Sequence, residues 1–115
     1  MQVQVTTDNN ITGGESLVEL ARDTIEDRLG HYRDRLTRVI VHFTDENSHK
    51  GGEADKRCAI EVRPAGLKPL AATHLGNDLD QALDGAVDRL LHVLEHTFGR
   101  LDEHKGRTPM GGQPL

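Results

Sequence analysis

Seven apolar residues in the C-terminal part of the chain, Leu79, Leu83, Val87, Leu90, Leu94, Phe98 and Leu101, recur at three- and four-residue spacing. At ~100° per residue they fall within about 100° of arc, which predicts a long helix that is apolar on one side only. Such a helix must lie on another layer to bury its stripe. Asn77 or Asp78 can cap its start.

The layer it needs is written in a second periodicity. Residues 2–7 (QVQVTT) alternate apolar and polar, as a half-buried strand does. In residues 38–44 (RVIVHFT), Val39, Val41 and Phe43 share one face, with Arg38, Ile40, His42 and Thr44 on the other. In residues 56–63 (KRCAIEVR), Cys58, Ile60 and Val62 face inward and Arg57, Ala59, Glu61 and Arg63 outward. Pro64-Ala65-Gly66 reads as a turn, and residues 70–75 as a fourth strand whose pairing begins after Pro69.

A first helix is expected over residues 16–31. Ser16-Leu17-Val18-Glu19 has the form of a capping box, and Leu17, Ala21, Ile25 and Leu29 form a buried stripe with Leu20 beside it. Residues 45–55 (DENSHKGGEAD) read as a loop.

The order is therefore β-α-β-β-β-α. A strand, helix, strand succession predicts a parallel first pair joined by a right-handed crossover, and the later strands follow as hairpins. The expected fold class is α+β: a two-layer sandwich with a four-stranded mixed sheet and both helices on one face. The folded domain is expected to span residues 1–103, and residues 104–115 (HKGRTPMGGQPL) carry too little apolar surface to fold and read as a disordered tail.

Composition narrows the function. The 115 residues hold no Trp, one Tyr and two Phe, so the core must be aliphatic and serial stacking on bases is not expected. Lys and Arg number 14 against 19 Asp and Glu, a net charge of -5 that excludes a general basic coat. All of that excess lies in residues 1–55, with 11 acidic and 6 basic groups; residues 56–115 hold 8 of each. No apolar run approaches the ~20 residues of a membrane span, and residues 1–10 lack the features of a secretory signal. One cysteine, Cys58, allows no internal disulfide. These features lead to the expectation of a soluble cytoplasmic protein.

Candidate chemistry sits on the second helix. Arg89, His92, His96 and Arg100, spaced 3, 4 and 4, lie on one side of it, away from the apolar stripe. Asp88, Glu95 and Asp102 occupy the opposite flank. The basic flank reads either as an ordinary solvated surface or as a holder of phosphates, whose oxygens match the arginine fork. Arg57, Arg63 and Lys68, on or near the third and fourth strands, read either as a polar outer sheet face or as contacts to an RNA backbone.

His92-Val93-Leu94-Glu95-His96 spells H-x-x-E-H, an inverted zinc-protease pattern. Glu95 points to another side of the helix from the two histidines, and the 19 residues after His96 are mostly polar tail, so a third ligand would have to come from elsewhere and neither a metal nor a catalytic site is expected. Cys58, inward-facing and without a flanking Cys or His, reads as a structural thiol. Gly13-Gly14 and Gly51-Gly52 belong to neither a phosphate-binding loop nor a dinucleotide fingerprint. No enzyme is expected, and no cofactor or small-molecule substrate.

The element order, VHFTDEN at 41–47, DKRCAIEVRPAGLKP at 55–69 and LDQALDGAVDRLLHVLE at 79–95 together resemble the ribosome hibernation-promoting factor / protein Y (RaiA) family, also called sigma-54 modulation proteins. The resemblance covers residues 1–105. It implies a fold similar to double-stranded RNA-binding domains. It also implies binding to the small ribosomal subunit and the whole ribosome, at rRNA near the decoding region, with translation inhibited by steric occlusion during stress. DNA and membranes are not expected partners. Carried onto this chain, the RNA-binding residues would be Arg89 in the Asp-Arg-Leu triplet, then Arg100 and Lys105, with Arg57 and Arg63 after them.

Two departures shape the expectation. His92 and His96 stand where members carry more permanent charge, so binding should be weaker and salt-sensitive. The separate dimerisation domain of long hibernation factors is not in the sequence, so the chain by itself should not pair ribosomes. The alternative is the same fold without ribosome affinity, acting as a protein-protein interaction module through the acidic first helix.

Overall fold

The computed structural model describes residues 1–8, 11, 14–45 and 56–106, with side chains up to Leu101. The order is β1 (Gln2–Thr7), α1 (Gly14–Leu29), a short 3-10 helix (Gly30–Arg35), β2 (Leu36–Asp45), β3 (Lys56–Pro64), β4 (Leu70–Gly76) and α2 (Leu79–Gly106). The sheet runs β1-β2-β3-β4, with β1 and β2 parallel and the other pairs antiparallel. This is the expected β-α-β-β-β-α sandwich with a mixed sheet.

The alternation of each strand decides which face is covered. Val3, Val39, Val41, Phe43, Cys58, Ile60 and Val62 turn toward the helices and are buried. They meet Leu17, Ala21, Ile25 and Leu29 of α1 and Leu83, Val87, Leu90, Leu94 and Phe98 of α2. The core is mainly aliphatic, and the chain's few aromatic rings, Tyr32, Phe43 and Phe98, are all buried in it. Burial pushes the Cys58 thiol up to about 12, so it stays protonated and inert at neutral pH.

Several expectations change in detail. α1 begins at Gly14, so Ser16 lies inside the first turn and is not the residue before the helix. Leu20 is 39% exposed and Leu101 38%, so neither belongs to its stripe. On α2 the buried set also includes Ala82 and Ala86, which widen the contact face toward the sheet. The residues after Leu29 leave the α-helical period and form the 3-10 helix. Its Tyr32 is buried with ring centroids 5.5 Å from Phe98, and Arg35 sits 3.9 Å over the other aromatic partner, the Phe98 ring. Burial, then the Glu95 carboxylate, raises the Tyr32 pKa, and Arg35 opposes them.

α2 starts as its sequence allows. Asp78 Oδ1 accepts the Gln81 N–H at 2.8 Å, and Gln81 Oε1 accepts the Asn77 N–H at 3.1 Å. Asp78 is therefore the cap, and Gln81 reaches back one residue beyond it, to the Asn77 N–H. The helix runs to Gly106, past the boundary expected at residue 103. Residues 46–55 of the expected loop and 107–115 of the expected tail lie outside the described residues.

Gly85 sets how close α2 comes to the sheet. A Cβ there would fall inside the His74 ring of β4, so the helix backbone rests directly on the imidazole. Gly66, at φ +78 in the β3-β4 turn, takes a left-handed backbone while Leu67 N–H bonds to the Pro64 carbonyl at 3.3 Å. These are the features of a type II turn.

Candidate nucleic-acid interface

The packing of α2 decides what its outer half can meet. With Leu83, Val87, Leu90 and Leu94 turned to the sheet, one flank faces α1 and the other borders β4. On the α1 side, Asp88 pairs with Arg28 at 2.5 Å, and Glu95 lies beside Tyr32, Arg35 and Phe98. On the β4 side, Arg89 lines a shallow groove with Thr73, His74 and Leu75. The acid and base flanks predicted from spacing are thus two different surroundings.

Arg89, His92, His96 and Arg100 are all exposed, and they follow one another along that β4 side. Arg100 donates to His96 Nε2 at 2.7 Å. A guanidinium has no lone pair to offer, so the imidazole nitrogen must be the acceptor. This contact holds Arg100 against the helix one turn beyond His96. Lys105 continues α2, but its side chain lies outside the described residues.

The second cluster is on the open face of the sheet. Register places Arg57 opposite Thr44 on one side and Leu75 on the other, and Arg63 opposite Arg38. Arg38 in turn pairs with Gln2 of β1. Among the described residues of β2, β3 and β4, the open face carries Arg38, Arg57 and Arg63 with one carboxylate, Glu61, among Ile40, His42, Ala59, Ala71, Thr73 and Leu75. His42 Nδ1 and Thr6 Oγ1 are hydrogen-bonded at 2.5 Å across β1 and β2. Lys68 is exposed after the β3-β4 turn, next to the Arg63 end.

Arg38 was absent from the residues singled out by sequence. Its alternation marks it as outward-facing, but its alliance with Arg63 depends on cross-strand register, which a bulge between Leu36 and Arg38 sets.

The two clusters do not form one flat patch. Arg89 and its neighbours lie in the helical layer, Arg57 on the opposite face. Leu75, 47% exposed at the edge strand, touches both: it lines the Arg89 groove and pairs with Arg57. A cationic surface therefore wraps around the β4 edge. Exposed α1 is mainly acidic, with Glu15, Glu19, Asp23, Glu26 and Asp27 against Arg22. An anionic polymer would be drawn to one side of this molecule and repelled from the other.

Among the described residues no group of three or more His, Cys, Asp or Glu could hold a metal ion. His92 and His96 share their side of the helix with arginines rather than with a further ligand. Among the described residues no helix is long and apolar enough to cross a membrane.

Comparison with known proteins fits this architecture. The family model described as Sigma 54 modulation protein / S30EA ribosomal protein matches residues 3–102. No curated protein sequence matches the chain. Among solved structures, a ribosomal subunit interface protein from Coxiella burnetii superposes with a TM-score of 0.68 at 19% identity, covering 86% of this chain and 99% of that one. The N-terminal domain of Thermus thermophilus protein Y gives 0.66 at 20% identity, covering 84% and 99%. At these identities the likeness is one of fold.

Proposed function

Because the chain belongs to the Sigma 54 modulation protein / S30EA ribosomal protein family, which is ribosome-associated, we propose that it binds small-subunit rRNA near the decoding region and silences translation by occlusion. The observation that carries this reading is the cationic surface around the β4 edge. Arg89 and Arg100 supply permanent charge on one side of that edge, and Arg57, Arg63 and Arg38 on the other. Lys68, exposed after the β3-β4 turn, extends it, His92 and His96 add hydrogen-bonding side chains beside the arginines, and Lys105, in the last turn of α2, is proposed to act with them. The fold shared with a protein described as a ribosomal subunit interface protein is consistent with it.

The mechanism needs no bond to be made or broken. Guanidinium forks bind phosphate oxygens bidentately and fix the orientation of the domain. The bulk of the sandwich then stands where tRNA and mRNA would pass. The acidic α1 side is turned away from the RNA by repulsion, so the domain can dock in one orientation only.

Co-sedimentation with ribosomes and separated subunits, at low and high salt, tests the reading. Near-stoichiometric pelleting with the small subunit and the whole ribosome is expected. With ~4 phosphate contacts, log affinity should fall against log salt with a slope of about -3 to -4. No pelleting at low salt would reject the proposal and leave the protein-interaction alternative through α1.

A further inference from the structure

The other edge of the sheet is built differently. Among the described residues β1 is hydrogen-bonded to β2 alone, so alternate residues turn backbone N–H and C=O groups outward. Natural edge strands are commonly guarded by charge, proline or a bulge. The sequence QVQVTT has no charged residue and no proline, and its pairing with β2 runs without a shift from Gln2 to Thr7.

Above that edge, between β1 and the start of α1, lies a groove of ≈ 410 Å³ lined by Val5, Thr7, Gly14, Glu15, Val18 and Glu19. Its walls are aliphatic and its rim holds two exposed carboxylates. The side chains of an added strand alternate between the two faces of a sheet, so every second one would point into this groove.

We propose that this edge and groove take an extended basic segment of another protein, added to β1 as a fifth strand. Aliphatic side chains of the segment fill the space between Val5 and Val18, and Lys or Arg side chains reach Glu15 and Glu19. A second copy of this chain is disfavoured, because pairing β1 with β1 would bring two acidic rims together. An acidic segment meets the same repulsion, and a nucleic acid more of it. Backbone pairing supplies the affinity and the carboxylates select the partner's charge. The inference stands apart from the RNA reading, since it uses neither α2 nor the β4 edge.

The test uses the isolated chain and a fluorescein-labelled seven-residue peptide in which Val and Lys alternate at every second position with Thr between them, so that both side chains lie on the groove face. Two control peptides have Glu in place of the cations, or the same residues in separate cationic and Val blocks. The alternating basic peptide is expected to bind and to shift the amide resonances of Gln2–Thr7 and the first two turns of α1. Glu15→Lys with Glu19→Lys, both exposed, should weaken it at least tenfold while circular dichroism stays unchanged. Val18→Asp should weaken it without altering those carboxylates. Equal binding of the block peptide would show charge attraction without strand addition and overturn the proposal. Unmoved β1 resonances, or full affinity in the double charge reversal, would overturn it as well.

Discussion

α1 and α2 face the same sheet with the same kind of stripe, yet the outer side of α1 and the β4 flank of α2 carry contrasting charge. Leu17, Ala21, Ile25 and Leu29 are buried on α1, as are Leu83, Val87, Leu90 and Leu94 on α2. Outside, α1 presents Glu15, Glu19, Asp23, Glu26 and Asp27, and the β4 flank of α2 presents Arg89, His92, His96 and Arg100. The inner halves answer to the core and must be alike. The outer halves are free of that constraint, and there the two helices part in what they can bind. The pair teaches that charge on a helix is informative only after burial has fixed which way each residue points.

The comparison can be broken first from the inside. Ile25 and Leu90 are both fully buried, one on each helix. Ile25→Ala and Leu90→Ala should each cost about 2–5 kcal/mol of unfolding free energy, measured by urea denaturation. A much smaller loss for one alone would mean that its helix is not held by the shared core.

Two glycines of α2 sharpen the point. Gly85 rests on the His74 ring, whereas a Cβ at Gly99 would meet nothing within 4 Å. Gly85→Ala should destabilise by about 1–3 kcal/mol through overpacking. Gly99→Ala should stabilise by roughly 0.5–1 kcal/mol through helix propensity. Thermal melting of both variants gives the two signs directly, and equal signs would contradict the close approach at Gly85.

Charge reversal addresses the outer halves. Arg89→Glu should lower ribosome affinity at least tenfold in pelleting assays, with the melting temperature unchanged. Asp23→Lys, on α1 and away from its groove, should leave affinity the same or raise it slightly. If both reversals weakened pelleting equally, α1 would face the RNA too and the one-orientation docking would fail.

The smallest effect joins the two helices. Arg28 and Asp88 pair at 2.5 Å with side chains 33% and 64% exposed. A double-mutant cycle to Ala should return about 0.2–1 kcal/mol, declining with salt. A larger coupling that survives salt would mean that the helices are clamped rather than merely adjacent.

The strands were legible because a period of two is hard to imitate: each inward residue expected on β2 and β3 is buried. α2 was legible for the same reason at a period of 3.6. What escaped the sequence had no period to show. Six residues from Gly30 to Arg35 are too few to display one, so Tyr32 could not be assigned to the core. Ser16 has the right chemistry for a cap, but the helix starts earlier, at Gly14. Leu101 continues the stripe of α2 beyond Phe98, the last buried residue described there.

In the candidate interface, the flank of α2 followed from helical spacing alone. The open sheet face did not, because Arg38 and Arg63 are 25 positions apart in sequence and meet only through the register of β2 with β3. Gly85 lies in an Asp-Gly pair within a helix, a local misfit whose reason is the imidazole beneath it.

The stacking of Tyr32 on Phe98 has a practical side. The chain has one tyrosine and no tryptophan, so its near-ultraviolet absorbance and intrinsic fluorescence come almost wholly from a single ring. That ring is buried at the seam where the 3-10 helix meets the later turns of α2. The protein therefore carries a built-in optical gauge of one joint: emission reads whether α2 is seated against the 3-10 helix, while amide exchange must be used to follow the sheet.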